Sequence, residues 1–199
     1  MLMNKIFSIL LTVILLLLIS CKQELPLDKD LTKKSYNLIN QEGEEVVFPE
    51  IIKGQITVMG FIFTHCPDIC PMTTHNMYLT EKQLKKDGID DVKFVALSFD
   101  PDRDTPEVLK KFAEVRELDY KSWTLLTGER TTVNELLKRF DVKAIKTDES
   151  VDEKGNSEYS MMHTDRISLI DENGRLRKNY KGSTLNIEEL VNDIKTLKD

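Results

Sequence analysis

Short, almost continuously apolar runs alternate along the chain with amphipathic segments of helical period. The runs ITVMGFIF at 56–63 and VKFVALSF at 92–99 are rich in β-branched and aromatic residues, which is typical of strands buried on both faces. A helical segment follows each run: one extends from Pro71 to about Lys86, and one begins at Thr105, where a capping oxygen, a proline and an acidic residue stand in succession. WTLLTG and TTVNELLKRF repeat the strand–helix order.

Hairpins are predicted at both ends of this alternating region. YNLINQEGEEVVF, which follows Ser35, contains two short strands around a Gln-Glu-Gly turn, and RISLID and RLRKNY flank an Asn-Gly turn. Residues 146–160 are acidic and contain glycine, so we expect an irregular, exposed excursion, and Asn186–Leu197 is predicted to close the chain as a helix. The order predicts one α/β domain of thioredoxin-like pattern: a central mixed β-sheet flanked by helices, with an N-terminal β-hairpin.

The first residues of the chain have the pattern of a targeting signal. Lys5 precedes IFSILLTVILLLLI, an uncharged run shorter than the roughly 20 apolar residues that a spanning helix needs. The run ends in Leu-Ile-Ser-Cys21, which resembles a bacterial lipobox, in which the cysteine is lipidated and becomes the first mature residue. We expect residues 1–20 to be a lipoprotein signal peptide, 21–34 a polar tether after lipidated Cys21, and 35–199 the domain. An uncleaved anchor with an incidental cysteine is the alternative.

Either form of this N-terminus predicts a protein tethered to a membrane on the extracytoplasmic face of the cell envelope. The formal net charge is −6, and removing Lys5 with the signal peptide makes it −7. A mildly acidic protein has no electrostatic footprint for nucleic acid, so that class of function is excluded.

Two of the three cysteines, Cys66 and Cys70, stand in the motif FTHCPDICP at 63–71. A purely structural disulfide is disfavoured because closing so short a loop restrains the unfolded chain little. A helix N-terminus after the buried strand favours thiolate, which either attacks disulfides or binds a soft metal such as copper(I) or zinc. A third ligand would be an imidazole. The side chain of His65 is expected to point away from Cys66, His75 lies off the face of Cys70, and His163 is a candidate that spacing alone does not decide.

Four motifs in a fixed order carry a family resemblance: FTHCPDICP, LSFDPDRDTPEVL, WTLLTG, and His163 ahead of an apolar strand that ends in an Asp-Glu-Asn-Gly turn. Together they resemble the Sco/SenC family over roughly Ser35–Leu197. The resemblance implies a membrane-anchored, thioredoxin-fold copper protein that binds Cu(I) or Cu(II) through Cys66, Cys70 and His163. It also implies a role in building the CuA centre of cytochrome c oxidase subunit II. One departure is Met162, since the residue before the histidine is often acidic in the family.

Three functions follow from these residues, and a copper metallochaperone leads. The alternative is a membrane-anchored thiol–disulfide oxidoreductase acting, through the redox pair Cys66 and Cys70, on cysteines of the oxidase subunit or of a related copper protein. The oxidoreductase hypothesis is weakened because thioredoxin-type exchangers place a cis-proline loop opposite the cysteine pair. All six prolines of this chain lie at or before Pro106, so none is available for such a loop near Met161-Met162-His163. A peroxidase is disfavoured because Met59 and Phe63 occupy the positions of the peroxiredoxin Pro and Thr.

We therefore expect an assembly factor rather than a turnover enzyme, with an upstream copper donor or thiol reductant as a further partner. Its disulfide state would gate loading, since copper binds only the reduced pair. In DPDRDTP, Asp100 and Asp104 are expected to hydrogen-bond nearby N–H groups while Arg103 pairs with either carboxylate. Met161 and Met162 are soft and adjacent, but core packing is the favoured interpretation for both.

Overall fold

A computed structural model describes residues 25–65, 69–151 and 157–198, without the side chains at 69, 70, 157 and 158. The expected signal peptide, Cys21 and Cys66 lie outside these residues. In the part of the chain that is described, no helix has both the length and the apolar character to cross a bilayer.

Strands and helices alternate through the described chain much as the hydrophobic pattern predicts. The helices are α1 (Ile69–Lys86), α2 (Pro106–Val115), α3 (Arg130–Arg139) and α4 (Ile187–Lys198), and a 3-10 turn spans Glu50–Ile52. The strands are β1 (Lys29–Asp30), β2 (Tyr36–Asn40), β3 (Glu45–Phe48), β4 (Thr57–Ile62), β5 (Lys93–Ser98), β6 (Trp123–Thr127), β7 (Ala144–Val151), β8 (Ser157–His163), β9 (Ile167–Ile170) and β10 (Arg175–Tyr180).

Eight of the strands form one mixed sheet in the order β1-β10-β9-β4-β5-β6-β2-β3. β4, β5 and β6 run parallel, and the hairpins β9–β10 and β2–β3 add antiparallel strands on either side of them. β4 lies inside the sheet and is buried at every position. Helices α1, α2 and α3 contact β4, β6 and β2, respectively. The predicted mixed sheet with an N-terminal hairpin is confirmed.

A glycine in β4 lets α1 pack closely on the sheet. A Cβ at Gly60 would stand 2.5 Å from Sδ of Met77, which is fully buried on α1. Because interiors are close-packed, a larger residue at this position would force the Met77 side chain to shift. The helix begins at Ile69, two residues before Pro71, so Cys70 lies in its first turn, where a proline is still tolerated.

The chain joins the sheet earlier than the polar composition of residues 21–34 predicts. Leu25 and Leu31 are buried, β1 pairs with β10, and the Leu27 N–H donates to the Arg177 carbonyl at 2.9 Å. The leucines stand singly among charged residues, so no apolar run marks the segment. From Leu25 onward these residues belong to the domain rather than to a free tether.

The irregular excursion predicted for residues 146–160 is instead largely a β-hairpin, and that part of the prediction is wrong. β7 and β8 pair antiparallel as a separate two-stranded sheet, with Ala144 opposite His163 and Lys146 opposite Met161. Partly buried Tyr159, Met161 and His163 alternate with exposed Ser160 and Met162. This period-2 alternation is typical of a strand with one covered face, and the acidic composition hides it. β7 is largely exposed, as expected.

Candidate metal centre

His163 stands at the end of β8 with its imidazole packed against two aromatic rings. The ring centroid lies 6.2 Å from that of Phe63 in an edge-on arrangement and 4.7 Å from that of Phe99. Phe63 directly follows β4 and Phe99 directly follows β5. Because parallel strands end at the same edge of a sheet, the imidazole lies where the chain leaves β4 for the cysteine motif.

The orientation of this imidazole is tied to the backbone. Nδ1 of His163 lies 3.2 Å from the Thr164 carbonyl oxygen, which only accepts, so this contact favours a proton on Nδ1 and a lone pair on Nε2. Thr164 is itself held by Lys143, since its N–H donates to the Lys143 carbonyl at 2.9 Å and its hydroxyl accepts from the Lys143 N–H at 3.1 Å. A histidine ligand oriented in this way presents Nε2 to a metal.

The segment after His163 is anchored to the helix that carries Cys70. Asp165 accepts from the N–H of Ser183 at 3.0 Å, from its hydroxyl at 2.6 Å, and from the Thr73 hydroxyl at 3.4 Å. A Cβ at Gly182 would stand 2.7 Å from Thr73 Oγ1 and 2.8 Å from Asp165 Oδ1. Only glycine therefore permits α1 and the histidine segment to approach this closely.

A buried carboxylate holds the start of the cysteine motif. Asp104 is inaccessible to solvent and accepts from the Thr64 hydroxyl at 2.6 Å, the Thr64 N–H at 3.1 Å and the Ser98 hydroxyl at 2.5 Å. Burial raises the pKa of Asp104 above its usual value, although these hydrogen bonds act in the opposite direction. The loop after β5 thereby fixes the backbone two residues before Cys66.

The structure locates the two cysteines only in part. Cys66 lies outside the described residues, and Cys70 is the second residue of α1, with its side chain outside the description. In that first turn, free N–H groups and the helix dipole favour a thiolate. Among the described residues no cluster of three or more His, Cys, Asp or Glu side chains has metal-binding geometry. His163 is thus the one predicted ligand whose side chain is described.

The other two histidines have different surroundings. His65 places Nδ1 3.1 Å from the Thr64 hydroxyl and 3.9 Å from an Asp104 oxygen, and its side chain is 53% exposed. His75 stacks on Tyr78 at 6.5 Å and lines a groove of about 470 Å³ between α1 and the end of α2.

The two methionines before His163 differ from each other. Met161 packs partly buried against the core, as predicted, whereas Met162 is 61% exposed. The expected core role therefore does not hold for Met162. Because side chains alternate along β8, Met162 faces away from the side that His163 shares with Met161.

The sequence predicted only contacts within the DPDRDTP loop and with nearby N–H groups for Asp100, but the structure places it in a larger cluster of side chains. Arg103 Nε lies 2.5 Å from one Asp100 oxygen, and the other oxygen accepts from the Tyr159 hydroxyl at 2.7 Å and from Arg130 at 3.1 Å. Burial and the hydrogen bond to Asp100 raise the pKa of Tyr159 to about 12. The Arg103–Asp100 pair and the Thr105 cap on α2 were expected, but Tyr159 was missed because its segment was predicted to be irregular.

The fold and these surroundings define a thioredoxin-like domain with a histidine packed at the strand edge from which a paired-cysteine motif emerges. The family model described as SCO1/SenC matches residues 25–199. The chain belongs to the SCO1/SenC family.

Three solved structures illustrate the relationship. A SCO1/SenC family lipoprotein from Bacillus anthracis is 33% identical, with a TM-score of 0.73 over 87% of this chain and 98% of that one. ScoI of Bradyrhizobium japonicum, solved with copper bound, is 28% identical, with a TM-score of 0.68 over 81% and 96%. BsSco, described as having a disulfide switch and as a member of the Sco family of cytochrome c oxidase assembly proteins, is 28% identical, with a TM-score of 0.69 over 88% and 98%.

Proposed function

We propose that this protein binds one copper ion through Cys66, Cys70 and His163 and delivers it to the CuA centre of cytochrome c oxidase subunit II. The observation that carries the proposal is the imidazole of His163, packed against Phe63 three residues before Cys66, with Nδ1 directed at a carbonyl. Copper bound to the Bradyrhizobium relative and the oxidase-assembly description of BsSco support the same cargo and recipient.

The donor set fits copper chemically. Two thiolates and an imidazole are soft to intermediate ligands, which suit copper better than magnesium or calcium. Cu(I) is satisfied by two thiolates, whereas Cu(II) prefers further nitrogen or oxygen ligands, so the histidine matters more for Cu(II). Phe63 and Phe99 cover the imidazole with apolar surface, which limits access of water to the ligand. Copper is the cargo, so an open coordination position is where a recipient's ligand would enter.

The same proposal includes the location of the protein. Residues 1–20 act as a lipoprotein signal peptide, and lipidated Cys21 attaches the domain to the outer face of a membrane. The lipoprotein description of the Bacillus anthracis relative supports this anchor. Multiple acyl chains make such attachment stable, because each buried CH₂ contributes about 0.8 kcal/mol. An upstream copper donor or a thiol reductant then meets the protein outside the cytoplasm.

Thiol–disulfide exchange is the second candidate, and the position of Cys70 in the first turn of α1 favours it, since thiolate is the attacking species. In that reaction Cys66 and Cys70 pass two electrons and two protons to a partner disulfide. A disulfide then joins the two cysteines, and the partner leaves with two thiols. The disulfide switch described for BsSco supports this chemistry.

Copper titration of the reduced, detergent-solubilised protein tests the proposal. The wild type is expected to bind one equivalent of Cu(II) with a thiolate-to-copper charge-transfer band. His163→Ala is expected to weaken Cu(II) binding sharply while retaining Cu(I) binding, and His75→Ala serves as the matched control. Undiminished Cu(II) affinity in His163→Ala would exclude His163 as a ligand.

The metal-free protein provides the test of the alternative. We expect slow reduction of insulin disulfides by the reduced wild type. Fast turnover combined with no measurable copper affinity would reverse the ranking of the two functions.

A further inference from the structure

The hairpin that carries His163 is attached to the domain through Tyr159. Tyr159 stands four residues before His163 on β8, and both side chains are partly buried on the covered face of the strand. The Tyr159 hydroxyl donates to the fully buried Asp100 at 2.7 Å. The hydrogen bond to Asp100 therefore holds β8 four residues before the imidazole.

Arg103 holds the same tyrosine by its ring and by its backbone. Its guanidinium carbon lies 3.6 Å from the Tyr159 ring centroid, and Nη1 donates to the Tyr159 carbonyl at 3.0 Å. Its Nε is bound to Asp100. The guanidinium also lies 5.6 Å from the ring of Phe63, which in turn contacts His163. Arg103 thus touches the strand of His163 and one of the rings against which the imidazole packs.

One polar atom of Arg103 is left unsatisfied by this arrangement. Nη2 is buried and has no hydrogen-bond partner among the described residues. A buried donor without a partner is unfavourable for stability, and the contacts of the same guanidinium with Asp100 and Tyr159 offset that cost. Stacking on Tyr159 requires the planar group that arginine has and lysine lacks.

A second attachment is consistent with a fixed hairpin. Lys146 on β7 lies 4.1 Å from the Tyr159 ring centroid and pairs with Asp102 at 3.0 Å. Asp102 also pairs with Arg130, which contacts Asp100. Both strands of the hairpin are therefore bound to the loop after β5.

We infer that Arg103 and Tyr159 are positioning residues that hold the β7–β8 hairpin so that the His163 imidazole stays directed at the cysteine motif. The inference rests on the proposed function for its consequence in copper binding. Cu(II) requires the imidazole more than Cu(I) does, so releasing the hairpin is expected to lower the affinity for Cu(II) selectively. The placement of the imidazole itself is a property of the metal-free protein and is measurable without copper.

Imidazole NMR of the metal-free full chain gives the first test, with a purification tag free of histidine. The chain has three histidines, so His65 and His75 are internal references in every spectrum. In the wild type we expect one dominant tautomer of His163, with the proton on Nδ1. Tyr159→Leu and Arg103→Lys are expected to give mixed tautomers or broadened His163 signals. Tyr159→Phe, which keeps the ring, is expected to fall between them and the wild type.

Copper affinities of the same variants give the second test. Tyr159→Leu is expected to weaken Cu(II) binding by about tenfold, equivalent to about 1.4 kcal/mol, and to change Cu(I) binding by less than about threefold. Tyr120→Leu and Arg175→Lys, which alter a tyrosine and an arginine outside the cluster, are expected to change neither affinity.

The two tests separate the inference from the function on which it rests. Unchanged His163 signals in Tyr159→Leu and Arg103→Lys, with only a lower midpoint of thermal unfolding, would overturn the positioning role. If Tyr159→Leu does not fold, Tyr159→Phe and Arg103→Lys carry the same test. Perturbed His163 signals in a protein whose wild type binds no copper would support the positioning role and refute the proposed function.

Discussion

Replacing Gly182 with alanine separates the two segments that the candidate metal centre has to keep together. The new Cβ would stand 2.7 Å from Thr73 Oγ1 and 2.8 Å from Asp165 Oδ1, and the Thr73 side chain cannot move away easily because only 2% of the residue is exposed. Overpacking of this kind costs about 1–3 kcal/mol, and loss of the Thr73–Asp165 hydrogen bond adds about 1 kcal/mol. We expect Gly182→Ala to lower the free energy of unfolding by about 2–4 kcal/mol.

Urea unfolding followed by Trp123 fluorescence measures this change, because Trp123 is the only tryptophan of the chain and is fully buried. At about 2–4 °C per kcal/mol for domains of this size, the midpoint of thermal unfolding is expected to fall by about 4–16 °C. Gly128→Ala is the control, since its Cβ would meet a Leu38 methyl at 3.1 Å that can shift slightly. A Gly182→Ala variant as stable as Gly128→Ala would refute the close approach of α1 to the histidine segment.

Three further perturbations test other parts of the structure. Glu81→Gln is expected to destabilise the fold by about 1–3 kcal/mol in urea unfolding, because buried Glu81 accepts from the Trp123 indole at 2.7 Å and binds two other donors. Arg130 lowers the pKa of Asp102, so the ionised Asp102 carboxylate stabilises the fold above its unfolded pKa, and this stability is lost as pH falls through the lower pKa of the folded state. We expect the free energy of unfolding of Arg130→Met to decrease less steeply than that of the wild type below about pH 4. Deleting residues 25–31 removes β1 and two buried leucines, so we expect a loss of about 3–5 kcal/mol, whereas an unchanged unfolding midpoint would make this segment a free tether.

The main sheet was predictable because its strands are marked locally. The runs at 56–63 and 92–99 are too apolar and too short for exposed helices, and Asn173-Gly174 marks the β9–β10 turn within a few residues. β1 and the β7–β8 hairpin were not predictable in this way. Their apolar positions are single residues among charges, and they become strands through pairing with partners distant in sequence or through contacts with the loop after β5.

The residues of the candidate site were likewise predictable only in part. The two cysteines were candidates because thiols at this spacing carry the chemistry in themselves, whereas His163 was predicted as a ligand from the resemblance to the Sco/SenC family. Asp104 and Tyr159 were not assigned to the site, because their contacts span long separations in sequence: Thr64 to Asp104, and Asp100 to Tyr159. Carboxylates and tyrosines are common on surfaces, so only burial and hydrogen-bond partners distinguish these two.

Copper X-ray absorption of the protein, loaded with Cu(II) while both thiols are reduced, tests the central claim most directly, because it counts sulfur neighbours and detects imidazole scattering at the metal. The account predicts two sulfur ligands from Cys66 and Cys70 and one imidazole in the Cu(II) form. It further predicts loss of the imidazole signal in His163→Ala and its retention in His65→Ala and His75→Ala. Copper bound without imidazole in the wild type, or imidazole scattering that persists in His163→Ala, would contradict the account.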